Sequence, residues 1–425
     1  MARMPAYDRV FLGVEVTKVV GPFAGVTADR IRAALAGLHA LDPAHPAVCA
    51  LEPDRWRPLT GAEFAARELV VTVPSGPPDA LAEWGQHHLA LGDRPLVFGV
   101  SDGYVLAKFA HALGSGAYLN QLVAALLRAA VSGQPPEVPP VRQDRFLLTR
   151  AVLRHFARHP GAAVRLLRTP RPAPPVPART RTVAGWRGSN TVRSDRSAEG
   201  AVAELRAWRD RYAPGTSVAS LVFAGLVNAF GQVGLEPDPA GLVLLVDGRR
   251  YLRKNWQAGP NFVVGQYLAV PDPRDPRDIH RTLHAAMASG RPLAALAQRL
   301  LRGPGANAAT DARNIPDPTR PRLILTFGRL DMFADLPWMG EIRHTSVSKV
   351  GEPDALSVAG WELNGGLHLA ASFHSAVFPP DAVAAALRLF CSAPVALLPV
   401  SGETGTACRT EPSTTRRRPR PVGHR

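Results

Sequence analysis

The residues best placed to do chemistry stand in one short run, His111-Ala-Leu-Gly-Ser115-Gly116. An unperturbed imidazole titrates near neutrality, so a histidine can take a proton from a hydroxyl or an amine and later return it. His111 ends an apolar, β-branched stretch from Tyr104 and precedes a glycine turn, so its backbone is held stiffly while its ring can face a cleft. A serine hydrolase is a poor fit, because Ser115 lies in no Gly-x-Ser-x-Gly elbow. His87-His88 is a second histidine pair, but it ends a helix pattern, where a histidine near the last carbonyls is favourable without any catalytic role. His344, His368 and His374 fall in or near strand patterns and read as structural. Cys49, Cys391 and Cys408 are far apart and odd in number, with no metal-ligand spacing, so no metal site is expected and a reducing cytoplasm is the simplest setting.

The elements that position His111 are legible on either side of it. Asp102-Gly103 is a hairpin-turn signal joining a strand at 95–100 to the His111 strand. After Gly116, apolar residues at Leu119, Leu122, Val123, Leu126 and Leu127 recur at helical spacing, predicting a helix over 117–130. Residues 7–24 alternate as a strand, and Thr27 caps an amphipathic helix that Pro43 and Pro46 end. Further on, 199–212 and 217–232 read as helices, the second apolar nearly all round and therefore buried. Strands are expected at 241–247 and 322–330, then a hairpin over 355–374 and a last helix to Phe390.

Composition and charge narrow the field. At 425 residues and 46% hydrophobic the chain can bury a large core, with about two or three domains expected. The sequence lacks an apolar run of about eighteen residues, so no transmembrane segment is expected, and the N-terminus has no apolar signal core. The net charge of +15 is concentrated: eleven Arg against Asp144 between 142 and 187, and six Arg against Glu403 and Glu411 from 401 to 425. A nucleic-acid binder would spread basic residues among aromatics over a folded face, so nucleic acid is not an expected partner. Arg154, Arg158 and Arg165 could steer an acidic partner, although a solvated face explains them as well. The proline-rich stretch 169–181 marks the domain boundary, giving an N-terminal half 1–168, a linker 169–181, a C-terminal half 182–400 and a low-complexity tail 401–425 expected to be disordered.

His111-Ala-Leu-Gly-Ser-Gly resembles the His-x-x-x-Asp-Gly signature of the condensation-domain superfamily, which includes polyketide-associated acyltransferases and chloramphenicol acetyltransferase. His111 and Gly116 match it; Ala110 stands where condensation domains often have a first His, and Ser115 where the family has Asp. Val246-Asp-Gly-Arg249-Arg250-Tyr-Leu, Gly259-Pro260-Asn261-Phe-Val-Val-Gly265 (with Pro260 inserted relative to the family) and Phe327-Gly-Arg-Leu are similar to later elements of that family, in the same order. The resemblance implies an α/β fold of two chloramphenicol acetyltransferase-like halves with a tunnel and the active site at their interface. It implies His111 as general base, and Ser115 and Gly116 on a loop whose N–H groups polarise the carbonyl. It also places Arg249 or Arg250 opposite position 115 and Asn261 beside the tunnel. The expected activity is that of a free-standing, monomeric acyltransferase of specialised metabolism. Its donor would be a phosphopantetheine thioester, on CoA or an acyl carrier protein; its acceptor, a small-molecule alcohol or amine. No cofactor would be bound permanently. The alternative is a degenerate member that serves as a scaffold or recruiting module on an assembly line.

Overall fold

The computed structural model describes residues 2–140, 146–252, 261–302 and 312–399. The tail 401–425 and Gly259-Pro260 ahead of Asn261 lie outside the described residues. The rest is a mixed α/β molecule of two halves, each built on one main sheet.

In the first half the strands run in the order 338–348, 15–23, 104–110, 96–101 and 70–72. The strand Glu15–Phe23 lies inside this sheet and is covered on both faces. Val16 and Val20 meet the helices Ala28–Leu41 and Gly116–Ser132, while Val19 on the other face meets the helix Pro78–His88. Asp102 and Gly103, at φ 50° and 79°, make the tight turn into the strand Tyr104–Ala110, which brings the chain to His111. The expected strand over 7–24 is shorter than its hydrophobic pattern suggests. Residues Ala6–Arg9 form a helical turn instead, and successive N–H groups of Asp8, Phe11 and Val14 donate to carbonyls three residues back.

The second half is a sheet in the order 263–268, 242–247, 322–329, 355–363, 366–374 and 190–196. The helix Val218–Gln232 is buried almost all round, between this sheet and the helices Ala201–Tyr212 and Pro380–Ser392. The sequence pattern did not anticipate two helices, Pro276–Ala288 and Arg291–Arg302, of which the second packs beside the strand Val263–Leu268.

The strand Trp338–Ser348 follows the linker in sequence, yet pairs antiparallel with Glu15–Phe23 and completes the sheet of the first half. Separating the halves would therefore break a ladder of backbone hydrogen bonds, which fixes their mutual placement.

Helix packing in the second half is tight at Gly225, where an added Cβ would come 2.3 Å from a ring atom of the fully buried Phe390. Gly225→Ala gains helix propensity but overpacks this contact, an effect usually worth about 1–3 kcal/mol. We expect a net loss of stability in urea unfolding, part of it recovered when Phe390→Leu is combined with it.

Candidate active site

His111 opens a 3-10 turn, His111–Leu113, where the strand Tyr104–Ala110 ends. Its backbone is tied on both sides. The N–H donates to the carbonyl of Val14 (2.8 Å), and the carbonyl accepts from Asn261 Nδ2 (2.7 Å) across the seam between the halves. The ring stacks on Phe11, with centroids 4.4 Å apart and planes at 15°. Arg299 lies over the same Phe11 ring, 4.1 Å from its centroid. Two groups so near one ring centre must take opposite faces, so Phe11 is sandwiched between imidazole and guanidinium.

A backbone hydrogen bond from Nδ1 is the usual device for orienting such a ring. Here Nδ1 is buried and has no hydrogen-bond partner among the described residues. Orientation rests on the Phe11 stack and the doubly tied backbone, with the Asn261 side chain also acting on the ring. Burial holds the imidazole down at about 4, and the nearby charges of Lys18 and Arg299 add to the effect. The ring is therefore neutral at physiological pH, which is the form able to accept a proton.

Asn261 is itself buried and held by Asp8. Its backbone N–H and its Nδ2 both donate to Asp8 Oδ1, each at 2.8 Å. Burial raises the Asp8 carboxyl to about 6 against the pull of those two donors. Asn261 Oδ1 is buried with no partner among the described residues.

Ser115 is fully buried and caps the helix Gly116–Ser132, its Oγ accepting from the N–H of Tyr118 (3.4 Å). The Tyr118 hydroxyl reaches His45 Nε2 at 3.0 Å, which anchors the first turn of that helix. Gly116 is exposed, and a Cβ placed on it would meet nothing within 4 Å, so the helix opens onto free space. Of the two arginines the sequence offered, Arg249 joins the site and Arg250 is exposed. Arg249 Nη1 donates to Ser115 Oγ (3.0 Å) across the seam, while Nε bridges both carboxylate oxygens of Asp247 at 2.9 and 2.8 Å.

Beside this cluster lies a cavity of about 670 Å³. Its walls come from both halves: Val10, Leu12, Gly13, Val14, Val264, Arg299, Lys349 to Gly351 and His374, with Arg171 and Trp186 from the linker side. Arg171, Arg187, Arg299 and Lys349 are cationic, and among the described residues no carboxylate lines it. The indole Nε1 of the buried Trp186 has no partner among the described residues. His111 is not part of the wall; Val14 and Arg299, which flank it, are.

The other candidates stand apart. His87 and His88 end the helix Pro78–His88 and reach the carbonyls of Asn190 (2.9 Å) and Trp84 (3.2 Å). His344 is buried in the strand Trp338–Ser348 of the first half's sheet and His368 in the strand Gly366–His374 of the second, while His374, also buried at the end of that strand, lines the cavity. Sequence reading missed Asp8, Phe11, Arg299 and the buried Lys18, which donates to Asn120 Oδ1 on the helix after His111. Only Asp8 left a signal: Pro5-Ala-Tyr-Asp8 suits the first turn of a helix better than a strand.

Comparison with solved structures agrees with this architecture. The chain matches polyketide synthase associated protein 5 from Mycobacterium tuberculosis at 15% identity and TM-score 0.56, over 92% of this chain and 98% of that one. It matches the first condensation domain of the calcium-dependent antibiotic synthetase at 16% identity and TM-score 0.56, over 93% and 96%. This is the condensation-domain fold. A third condensation-fold match is trichothecene 15-O-acetyltransferase from Fusarium sporotrichioides, at 12% identity and TM-score 0.58 over 93% and 95%. No family model and no curated protein matches the sequence. Among the described residues no helix is long and apolar enough to cross a membrane.

Three outcomes follow from this chemistry. Ser115→Ala removes both a helix cap and the acceptor for Arg249, so it should cost about 1 kcal/mol or more in thermal or urea unfolding. Ser115→Asp keeps the cap and turns the Arg249 contact into an ion pair, and should raise the melting temperature. Burial takes the Lys18 amine from 10.5 down to about 7. Between those values the unfolded chain binds the proton that the folded chain rejects, so this residue makes stability rise with pH. In Lys18→Met that part of the rise should vanish, read as a smaller slope of unfolding free energy from pH 7 to 10.5.

Proposed function

We propose that the chain is a condensation-like acyltransferase that moves an acyl group from a phosphopantetheine thioester to an alcohol or amine. The observation that carries this reading is a neutral imidazole, tied into the seam of two halves of a condensation-domain fold, with a cationic cavity next to it. The incoming hydroxyl or amine attacks the thioester carbonyl as His111 takes its proton. The carbon–oxygen or carbon–nitrogen bond forms, the oxyanion collapses, the carbon–sulfur bond breaks, and the imidazolium returns the proton to the leaving thiolate. The exposed start of the helix at Gly116 offers unpaired N–H groups for the oxyanion. The cavity supports an anionic donor: Arg171, Arg187, Arg299, Lys349 and the unused indole N–H of Trp186 suit the phosphate of a phosphopantetheine arm.

One observation favours the second reading, a non-catalytic docking module. Ser115 replaces the motif acid, and a base as weak as His111 in this site is a poor catalyst without help from bound substrate.

The test is a mass-spectrometric screen of acyl-CoA and acyl-carrier-protein donors against alcohol and amine acceptors. Wild type should form ester or amide, and His111→Ala should lower turnover by roughly 10²–10⁴-fold with an unchanged melting temperature. His87→Ala and His88→Ala should stay near wild type. Equal turnover by wild type and His111→Ala would end the enzymatic reading; thioester binding without turnover in wild type would favour the docking module.

A further inference from the structure

The site contains a carboxylate that its signature motif lacks. We propose that Asp8 is the positioning residue of the His111 site, supplying from the N-terminal segment the acid that is missing at position 115. The proposal rests on the reading of His111 as the base.

Asp8 is 6% exposed and comes within 2.8 Å of two N–H donors of Asn261, a residue from the opposite half of the chain. Asn261 Nδ2 also donates to the His111 carbonyl. The carboxamide thus spends both of its N–H bonds, one on the carboxylate and one on the backbone of the candidate base. An asparagine side chain can in principle turn over and exchange its oxygen and nitrogen. Here that exchange would aim Oδ1 at two acceptors, a carboxylate oxygen and a carbonyl oxygen. The charge on Asp8 makes the wrong orientation far costlier than a neutral acceptor would.

Asn261 Oδ1 is buried with no hydrogen-bond partner among the described residues, and the Asn261 side chain also acts on the His111 imidazole, favouring its charged form. Burying a carboxylate is costly, and the two Asn261 N–H donors offset that cost here. The same segment holds His111 in two further ways. Phe11 stacks on its ring, and the Val14 carbonyl takes its N–H. Asp8, Phe11 and Val14 are linked by successive turn hydrogen bonds of 2.9 and 3.0 Å, so they act as one bracket. Loosening Asp8 frees the carbonyl grip and the ring stack together.

The test compares Asp8→Ala and Asp8→Asn with wild type in the full chain, using two readings. The first is kcat and KM for acyl transfer. The second is the rate at which diethyl pyrocarbonate modifies His111, followed on its peptide by mass spectrometry, which needs no substrate. Melting temperatures confirm that each variant is folded. In Asp8→Ala, kcat should fall about 10²-fold with KM little changed, as expected for a misplaced catalytic group, and His111 should be modified several-fold faster. Asp8→Asn keeps an acceptor but loses the charge that fixes the carboxamide, and should fall between the two on both readings. If Asp8→Ala does not fold, Asp8→Asn decides alone. Wild-type kcat and wild-type modification rate in the folded variants would overturn the proposal. If wild type transfers no acyl group at all, the acyltransferase reading fails, while the modification rates still judge whether Asp8 positions the imidazole.

Discussion

The arrangement at the seam depends on one carboxamide. Asn261 spans two halves of the chain with hydrogen bonds of 2.7 and 2.8 Å, and its side chain is almost wholly dry. A buried amide has no water to fall back on, so each of its bonds is either made or lost at full cost. That makes the contact specific rather than merely adhesive: a shift of the halves by a fraction of an ångström would break bonds with no replacement. The crossing strand Trp338–Ser348 sets the halves in coarse register, and Asn261 sets the fine one.

The second link across the seam shows how a neutral residue can stand where an acid is expected. Removing one member of a buried ion pair normally strands the other charge, at several kcal/mol. Arg249 avoids this because Asp247, two residues away on the same half, already holds its guanidinium with short contacts. Ser115 then needs only to accept one further N–H, and its hydroxyl also caps the helix behind the motif. The charge balance is complete within the second half. What is lost is attraction between the halves, and the Asp8–Asn261 contact restores it at a different point of the same seam.

Legibility followed the range of the interactions. The helix after His111, the buried helix Val218–Gln232 and the hairpin over 355–374 could be read because local periodicity and turn residues specify them. Asn364-Gly365 and Asp102-Gly103 adopt the positive φ values that their chemistry suggests. Arg249 could be placed only as one of a pair, since neighbours in sequence differ in burial for tertiary reasons. Asp8 and Phe11 were hidden because Val-Phe-Leu-Gly-Val looks like the start of a strand, and turn hydrogen bonds decide otherwise. The strand Trp338–Ser348 joins a sheet begun some three hundred residues earlier, a pairing that no local window contains.

The electrostatics of the seam also bear on the proposed role of His111 as a base. His111 is held down first by burial, and Lys18 and Arg299 deepen the effect because a second positive charge nearby is unwelcome. Arg299 is shared between the Phe11 sandwich and the cavity wall. An anion bound in that cavity would face Arg299 and offset its field at the imidazole. A developing oxyanion on the other side would act in the same sense. Under the proposed acyl transfer, both changes would stabilise the imidazolium only while a donor is in place. On that proposal His111 would be a weak base in the empty protein and a stronger one once an anion sits against Arg299.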